Sequence, residues 1–270
     1  MLGQLNLAGK DKVEVAIDRI KTFEPPEGYY VAFSGGKDSV VIKALCDMAG
    51  VKYDAHYNLT SVDPPELVQF VKSFDDVIIE KPRYPDGRQI TMWNLIPKKK
   101  MPPTRIVRYC CDFLKERSGK GRFVITGVRW AESARRKNTR GALEVSHKKS
   151  GQREYLDPDN PSQEMIHICG TMQSKYLNAI VDWDDSDVWE FIKKYGIKYC
   201  KLYDEGYKRL GCIGCPMGTV KQRKKEFERY PQYKKAYLRS FDKMLNERLK
   251  AGLKQGEWKN GNDVMEWWLS

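Results

Sequence analysis

One short stretch, "SGGKDS" from Ser34 to Ser39, combines two adjacent glycines with two hydroxyls, a lysine and an acid. The apolar run Tyr29 to Phe33 reads as a strand and Val40 to Leu45 as the start of a helix, so the glycines fall on a strand-to-helix turn. Such a turn aims backbone N–H groups at an anion and sets it at the positive end of a helix. The spacing fits neither the GxxxxGKS/T phosphate loop nor the GxGxxG dinucleotide pattern. Lys37 is the candidate phosphate contact, and Asp38 either orients the loop or approaches a cation. Ser34, Gly35, Gly36 and Ser39 complete the cradle. From the residues alone, an ordinary tight turn with a solvated lysine remains the alternative.

A second constellation is made of cysteines. "RYCCDF" carries Cys110 and Cys111, and "GCIGCPMG" carries Cys212 and Cys215. Glycine and proline around the CxxC let a turn bring two thiolates to one metal, and four thiolates suit either zinc or an iron–sulfur cluster. Adjacent cysteines point in different directions and fit poorly on one zinc tetrahedron, whereas a cubane spreads its ligands over separate irons. A redox dithiol is the other reading. Cys46 lies in an apolar helical stretch and reads as a core thiol. Cys169 and Cys200 read either as ordinary thiols or as persulfide relays, and His167, between two isoleucines, reads as structural.

The elements that must hold these residues alternate. "VKYDAHYN" (Val51 to Asn58) and "DVIIE" (Asp76 to Glu80) are further strand candidates, with a helix opening at Pro64 and Pro65 between them. This alternation predicts a parallel α/β sheet with its ligand at the carboxyl ends of the strands. Lys81 to Thr104 reads as a loop or irregular insert, "RIVRYCCDFLKE" as helical, and "GRFVITGVRW" as a strand. Asn138 to Pro161 is polar without sustained period and reads as an exposed loop, while Asp184 to Tyr195 reads as a helix. From Val220 to Ala251 the chain is charged and helical in propensity. Its stripe of Phe227, Tyr230, Tyr233, Tyr237, Phe241 and Leu245 reads as packing. The expected division is therefore 1–219, carrying the nucleotide and cysteine motifs, and 220–270, a basic, mainly helical extension.

The 270 residues contain 48 Lys and Arg against 36 Asp and Glu, a net charge of +12 that suits nucleotides, DNA or RNA as partners. Seven cysteines, an odd count, with no apolar leader in Met1 to Lys21 and no run long enough for a bilayer, lead to the expectation of a cytoplasmic protein without a membrane partner. The closing "VMEWWLS" is compatible with packing on the body or with a homodimer contact.

These motifs together resemble a known family. "SGGKDS" is similar to the pyrophosphatase loop of the adenine nucleotide alpha-hydrolases. "ITGVRWAESARR" resembles the arginine-bearing second motif of phosphoadenosine phosphosulfate (PAPS) reductases, and "VDWDDSDVWEFI" resembles the segment that follows their nucleotide site. The resemblance implies an adenine nucleotide alpha-hydrolase-like α/β fold, a parallel twisted sheet flanked by helices. It implies that Ser34 through Ser39 surround phosphates or sulfate and that Gly127, Arg129 and Arg135 line the anionic side of the cleft. Lys37, Asp38, Arg129 and Arg135 are the implied catalytic contacts. Cys110, Cys111, Cys212 and Cys215 match the CC and CxxC pattern that holds a 4Fe-4S cluster in adenylylsulfate reductases and in related DNA phosphorothioation ATP pyrophosphatases.

Family reductases attack the sulfonyl sulfur with a cysteine in a mobile tail, and no cysteine follows Cys215 here. The expectation is therefore an ATP pyrophosphatase or sulfurtransferase using ATP and Mg2+ to adenylate an acceptor, DNA or RNA among the candidates, with a sulfur-donor protein as a further partner. A PAPS or adenylylsulfate reductase with a displaced thiol, Cys169 or Cys200, is the second reading. A non-catalytic nucleotide or nucleic-acid-binding module is the third.

Overall fold

The computed structural model describes residues 2–6, 9–147, 153–156 and 172–270. In chain order the elements are α1 (Lys12–Thr22), β1 (Tyr29–Ala32), α2 (Lys37–Ala49), β2 (Tyr53–Asn58), α3 (Pro65–Lys72), β3 (Val77–Glu80), α4 (Met92–Lys99) and α5 (Tyr109–Cys111). A single π-helical turn, Asp112–Glu116, continues α5. There follow β4 (Phe123–Ile125), α6 (Ala134–Thr139), β5 (Leu143–His147), β6 (Arg153–Leu156), β7 (Met172–Leu177), α7 (Asp185–Lys194), α8 (Val220–Arg229), α9 (Pro231–Lys250) and α10 (Gly261–Trp268).

Among the described residues, seven strands form one sheet in the order β3-β2-β1-β4-β7-β5-β6. β1 runs parallel to β2 and to β4, and β4 parallel to β7. The chain leaves β1 toward β2 on one side and leaves β4 toward β7 on the other. The carboxyl ends of β1 and β4 therefore flank a topological switch point, where open α/β sheets hold their ligands. Residues 33–36 follow β1 there, and residues 126–129 follow β4.

Two stretches differ from the sequence reading. Asn138 to Pro161, expected as a loop, contains β5 and β6, which pair antiparallel, with β5 also antiparallel to β7. Leu143 and Val145 alternate as strand residues should, but Glu144 between them is buried as well. It is held there by Arg140 at 2.7 Å and by the Asn178 side chain at 2.8 Å. Within Lys81 to Thr104, α4 forms despite Pro97 because Thr91 caps it and Met92, Leu95 and Ile96 bury one face.

The chain divides into two compact units. One comprises Met1–Tyr57, Gln69–Ile79 and Gly119–Leu210, and the other Asn58–Val68, Glu80–Ser118 and Gly211–Ser270. This division differs from the expected break at 219. In the second unit Phe227, Tyr237, Phe241 and Trp268 share a core with Val62, Leu95, Tyr109 and Ile213, so the helical extension is integral to the unit that carries the CC and CxxC motifs. The aromatic stripe is accordingly packing: Tyr237 and Trp268 rings lie 4.9 Å apart, and Phe241 meets Trp268 edge-on at 5.5 Å. Among the described residues no helix is long and apolar enough to cross a membrane.

In the first unit a glycine sets how closely two of these elements approach. A Cβ at Gly127 would stand 2.8 Å from the Cβ of Asp38 and 3.0 Å from its carbonyl carbon and oxygen. Gly127→Ala should therefore push the start of α2 from the end of β4, at a cost of about 1–3 kcal/mol. Urea denaturation reads this as a lower midpoint; an unchanged midpoint would contradict the close approach.

Candidate functional site

The phosphate-type turn is built by its own hydroxyls and by glycine. Gly35 has φ +70°, a conformation that glycine adopts without strain. The Ser39 hydroxyl donates to the Gly36 carbonyl at 2.8 Å, and the Ser34 hydroxyl donates to Ser39 at 3.2 Å. α2 begins at Lys37 with no side chain capping it from Gly36, so its first N–H groups depend on partners from elsewhere. One partner is Tyr203, whose hydroxyl accepts the Lys37 N–H at 2.9 Å. Burial pushes the Tyr203 phenol up to about 12, so it keeps its proton at neutral pH and can donate it to an arriving oxyanion.

The charged residues of the turn form one connected set. The Lys37 ammonium lies 3.2 Å from Asp38 and 3.1 Å from Asp185. Arg129, 2% exposed, joins the same two acids through Nε to Asp38 at 2.7 Å and Nη2 to Asp185 at 2.7 Å. Its Nη1 donates to the Trp183 carbonyl at 3.2 Å. A guanidinium so deeply buried is tolerated only because three of its donors are matched. Partial burial would raise the Asp185 carboxyl, but hydrogen bonds from Arg129 and Lys37 outweigh it and hold this group below the ordinary carboxylate range.

The structure thus brings Ser34, Gly35, Gly36, Lys37, Asp38, Ser39, Gly127 and Arg129 together, with changes of part. Gly127 packs on Asp38 and does not line an anion. The Arg129 fork is occupied by acids and positions them. Arg135 is exposed on α6, and it is the next residue, Arg136, that turns inward. Burial lowers the Arg136 pKa, and Arg209, Arg140 and Arg129 lower it further while Asp38 opposes them. Arg136 is ion-paired with Glu132, Arg140 with Glu144 and Arg129 with Asp38 and Asp185, so these arginines are largely matched by acids. The sequence reading did not single out Asp185, Tyr203, Arg136 or Arg209; Asp185 alone had a signal, as one of the paired acids opening a predicted helix.

The second unit holds the four cysteines of the CC and CxxC motifs. Gly214, with φ +71°, bends the CxxC: Cys215 N–H donates to the Cys212 carbonyl at 3.2 Å, and Gly214 N–H donates to the Glu226 carboxylate at 2.7 Å. A side chain at Gly214 would meet the Phe227 ring at 2.5 Å. Cys110 and Cys111 lie on α5. The Cys110 thiol is pushed up, first by a hydrogen bond with Cys111 and then by burial, with Cys212 and Cys215 adding to it, so the four sulfurs lie within each other's electrostatic reach.

Cations face them. Arg108 donates to the Cys111 sulfur at 3.3 Å, and the Lys115 ammonium is favoured by Cys212 and Asp63. The Thr60 hydroxyl lies 3.5 Å from the Cys212 sulfur. Among the described residues, no three His, Cys, Asp or Glu side chains are gathered as a metal-ion site. Cys200 is fully buried, so a nucleophilic relay finds no exposed thiol there, while Cys169 and His167 lie outside the described residues.

Residues 28–218 match the phosphoadenosine phosphosulfate reductase domain, and the chain belongs to that family. An uncharacterised protein of Methanocaldococcus jannaschii is 27% identical over 213 residues, covering 74% of this chain and 44% of the relative. The adenosine 5'-phosphosulfate reductase of Staphylococcus haemolyticus is 30% identical over 66 residues, 24% of this chain and 27% of that enzyme. The phosphate complex of the PAPS reductase from Candida auris is similar at TM-score 0.45 and 16% identity, covering 77% of this chain and 96% of that one. The chain spans about half the length of the first two curated relatives, 44% and 45%.

Removing the buried fork should uncouple the two acids. Arg129→Met is expected to cost about 3 kcal/mol, read from denaturant midpoints, because Asp38 and Asp185 lose their shared cation. The Asp185 contribution is present above the ordinary carboxylate pKa and is lost as pH falls through the lowered one. Asp185→Asn should therefore flatten the acid limb of the stability profile below about pH 4. An unaltered acid limb would show that Asp185 does not gain from this pairing.

Proposed function

We propose that this chain is an ATP pyrophosphatase or sulfurtransferase that adenylates an acceptor at the Ser34–Ser39 turn. One observation carries the reading: two carboxylates, Asp38 and Asp185, flank the Lys37 ammonium at the head of α2, at 3.2 and 3.1 Å. Mg2+ is commonly held by one or two carboxylates together with substrate phosphate oxygens, and this pair is suited to receive it with ATP. Release of pyrophosphate moves negative charge onto the leaving group, and the Lys37 ammonium at the positive end of α2 is the group to meet it.

In the reaction proposed, an acceptor oxygen or amide attacks the α-phosphorus, the bond to the bridging oxygen breaks, and pyrophosphate departs. A sulfur donor, protein-borne or small, then displaces AMP from the adenylated acceptor. The net charge of +12 makes DNA or RNA a suitable acceptor class.

Cys110, Cys111, Cys212 and Cys215 would hold a 4Fe-4S cluster. Four thiols, two from α5 and two from the CxxC turn, with Arg108 and Lys115 as counter-charges, suit the donor set and negative charge of a cluster whose irons are all ligated by protein. When bound, such a cluster supplies a fixed, charged structural centre.

Anaerobically purified, cluster-loaded protein should release pyrophosphate from ATP and Mg2+ with dependence on nucleic acid, and should form no sulfite from PAPS or adenylylsulfate with a thiol reductant. Lys37→Ala should lower kcat/KM for ATP by roughly 100-fold. Sulfite without pyrophosphate would overturn the reading. For the metal, Cys212→Ser should reduce bound iron and acid-labile sulfide from about four of each per chain; full retention in that variant would exclude Cys212 as a ligand.

A further inference from the structure

The second unit contains a cavity of about 370 Å³ that none of the chemistry above uses. Its walls include Arg105 and Arg223, the apolar Pro216 and Val220, and the rings of Trp267 and Trp268. Arg223 on α8 is 5% exposed. Its Nη1 donates to the Trp268 carbonyl at 2.7 Å, and its guanidinium lies 4.1 Å from the Trp268 ring centroid. Its Nε and Nη2 are buried without a hydrogen-bond partner. These two donors lie out of reach of solvent, so Arg223 contributes its buried positive charge behind the cavity wall and not a hydrogen bond to an occupant.

The other walls narrow what that anion is. Arg105 is exposed but anchored, donating to the Pro216 carbonyl at 3.0 Å and to Gly218 at 3.3 Å, so it presents its charge from a fixed place beside the CxxC turn. Trp267 is 44% exposed and meets Trp258 edge-on at 5.0 Å, which fixes its ring while leaving surface open. On α8, the exposed Lys221, Lys224 and Lys225 flank Arg223 in sequence. A flat aromatic surface, paired arginines and neighbouring lysines are what a nucleotide needs, for base stacking, for its own phosphate and for the phosphates on either side. The volume lies within the range of small-molecule sites.

We infer that this cavity binds one nucleotide of a single-stranded nucleic acid, its base against Trp267 and its phosphate at Arg105, with the buried charge of Arg223 behind it. The inference rests on the nucleic-acid acceptor reading and names a place on the chain where such a strand is gripped.

The test is fluorescence anisotropy with short, labelled, single-stranded DNA and RNA of mixed sequence, without ATP, beside a competing mononucleotide. Trp267→Ala is expected to weaken strand binding about tenfold. Arg105→Ala is expected to weaken it and to reduce the salt slope by about one. Arg105 holds the Pro216 and Gly218 carbonyls and Trp267 meets Trp258, so these variants, like Arg223→Lys, are compared only where circular dichroism and the denaturant midpoint match wild type. Wild-type affinity, within about twofold, in both exposed variants would overturn the inference. So would a mononucleotide that binds more tightly than the strand. Strand binding that depends on Trp267, together with pyrophosphate release indifferent to nucleic acid, would support the cavity and remove nucleic acid as the acceptor. Pyrophosphate release stimulated by nucleic acid with no effect of either variant would leave the acceptor reading in place and overturn the cavity.

Discussion

The candidate site depends on one buried guanidinium. Arg129 ties Asp38, at the head of α2, to Asp185, at the head of α7, and its third contact is the carbonyl of Trp183, which is itself fully buried. Two helix starts are thereby fixed about one cation. Lys37 closes the set from the other side, so two acids and two bases are held where the sheet's strand order reverses. Gly127 permits the arrangement because only a residue without a side chain lets the end of β4 approach Asp38 so closely. The turn is therefore organised by contacts beneath it, with the Tyr203 hydroxyl holding the Lys37 N–H at its rim.

The second unit follows the same logic with different chemistry. Gly214 stands at the bend of the CxxC because the Phe227 ring leaves room for nothing larger, and Glu226 satisfies the buried Gly214 N–H. Tyr237 donates to the Ile213 carbonyl at 3.1 Å, and Ile213 N–H donates to Val62 at 2.7 Å. The helices that look like a basic appendage thus hold the cysteine turn by packing and by hydrogen bonds. Arg223 is buried, but the lysines of α8, Lys221, Lys224 and Lys225, are exposed, as the spacing of an amphipathic helix requires.

Much of this was legible from residue order. The strand, glycine turn and helix over residues 29–49 announce themselves through period and punctuation, and the helix after Asp184 through its acidic start and apolar spacing. The cysteine motifs were equally plain. The partnership of Arg129 was not, because Asp38 and Asp185 lie 91 and 56 residues from it and no local pattern records their pairing. Arg135 and Arg136 are adjacent in sequence, but one step along a helix turns a side chain by about 100° and decides which faces the site. The β5–β6 pair escaped detection since its strands are only five and four residues long in a polar stretch, and α4 since Pro97 and three successive lysines mimic a loop.

The central claim is that Asp38, steadied by Arg129, receives the metal that accompanies ATP at the Ser34–Ser39 turn. Calorimetric titration of ATP into wild type and Asp38→Asn, each with and without Mg2+, addresses it most directly. The account predicts tight, Mg2+-dependent binding in the wild type and binding to the variant that is weaker and indifferent to Mg2+. Equal affinity in both proteins, unaffected by Mg2+, would contradict it.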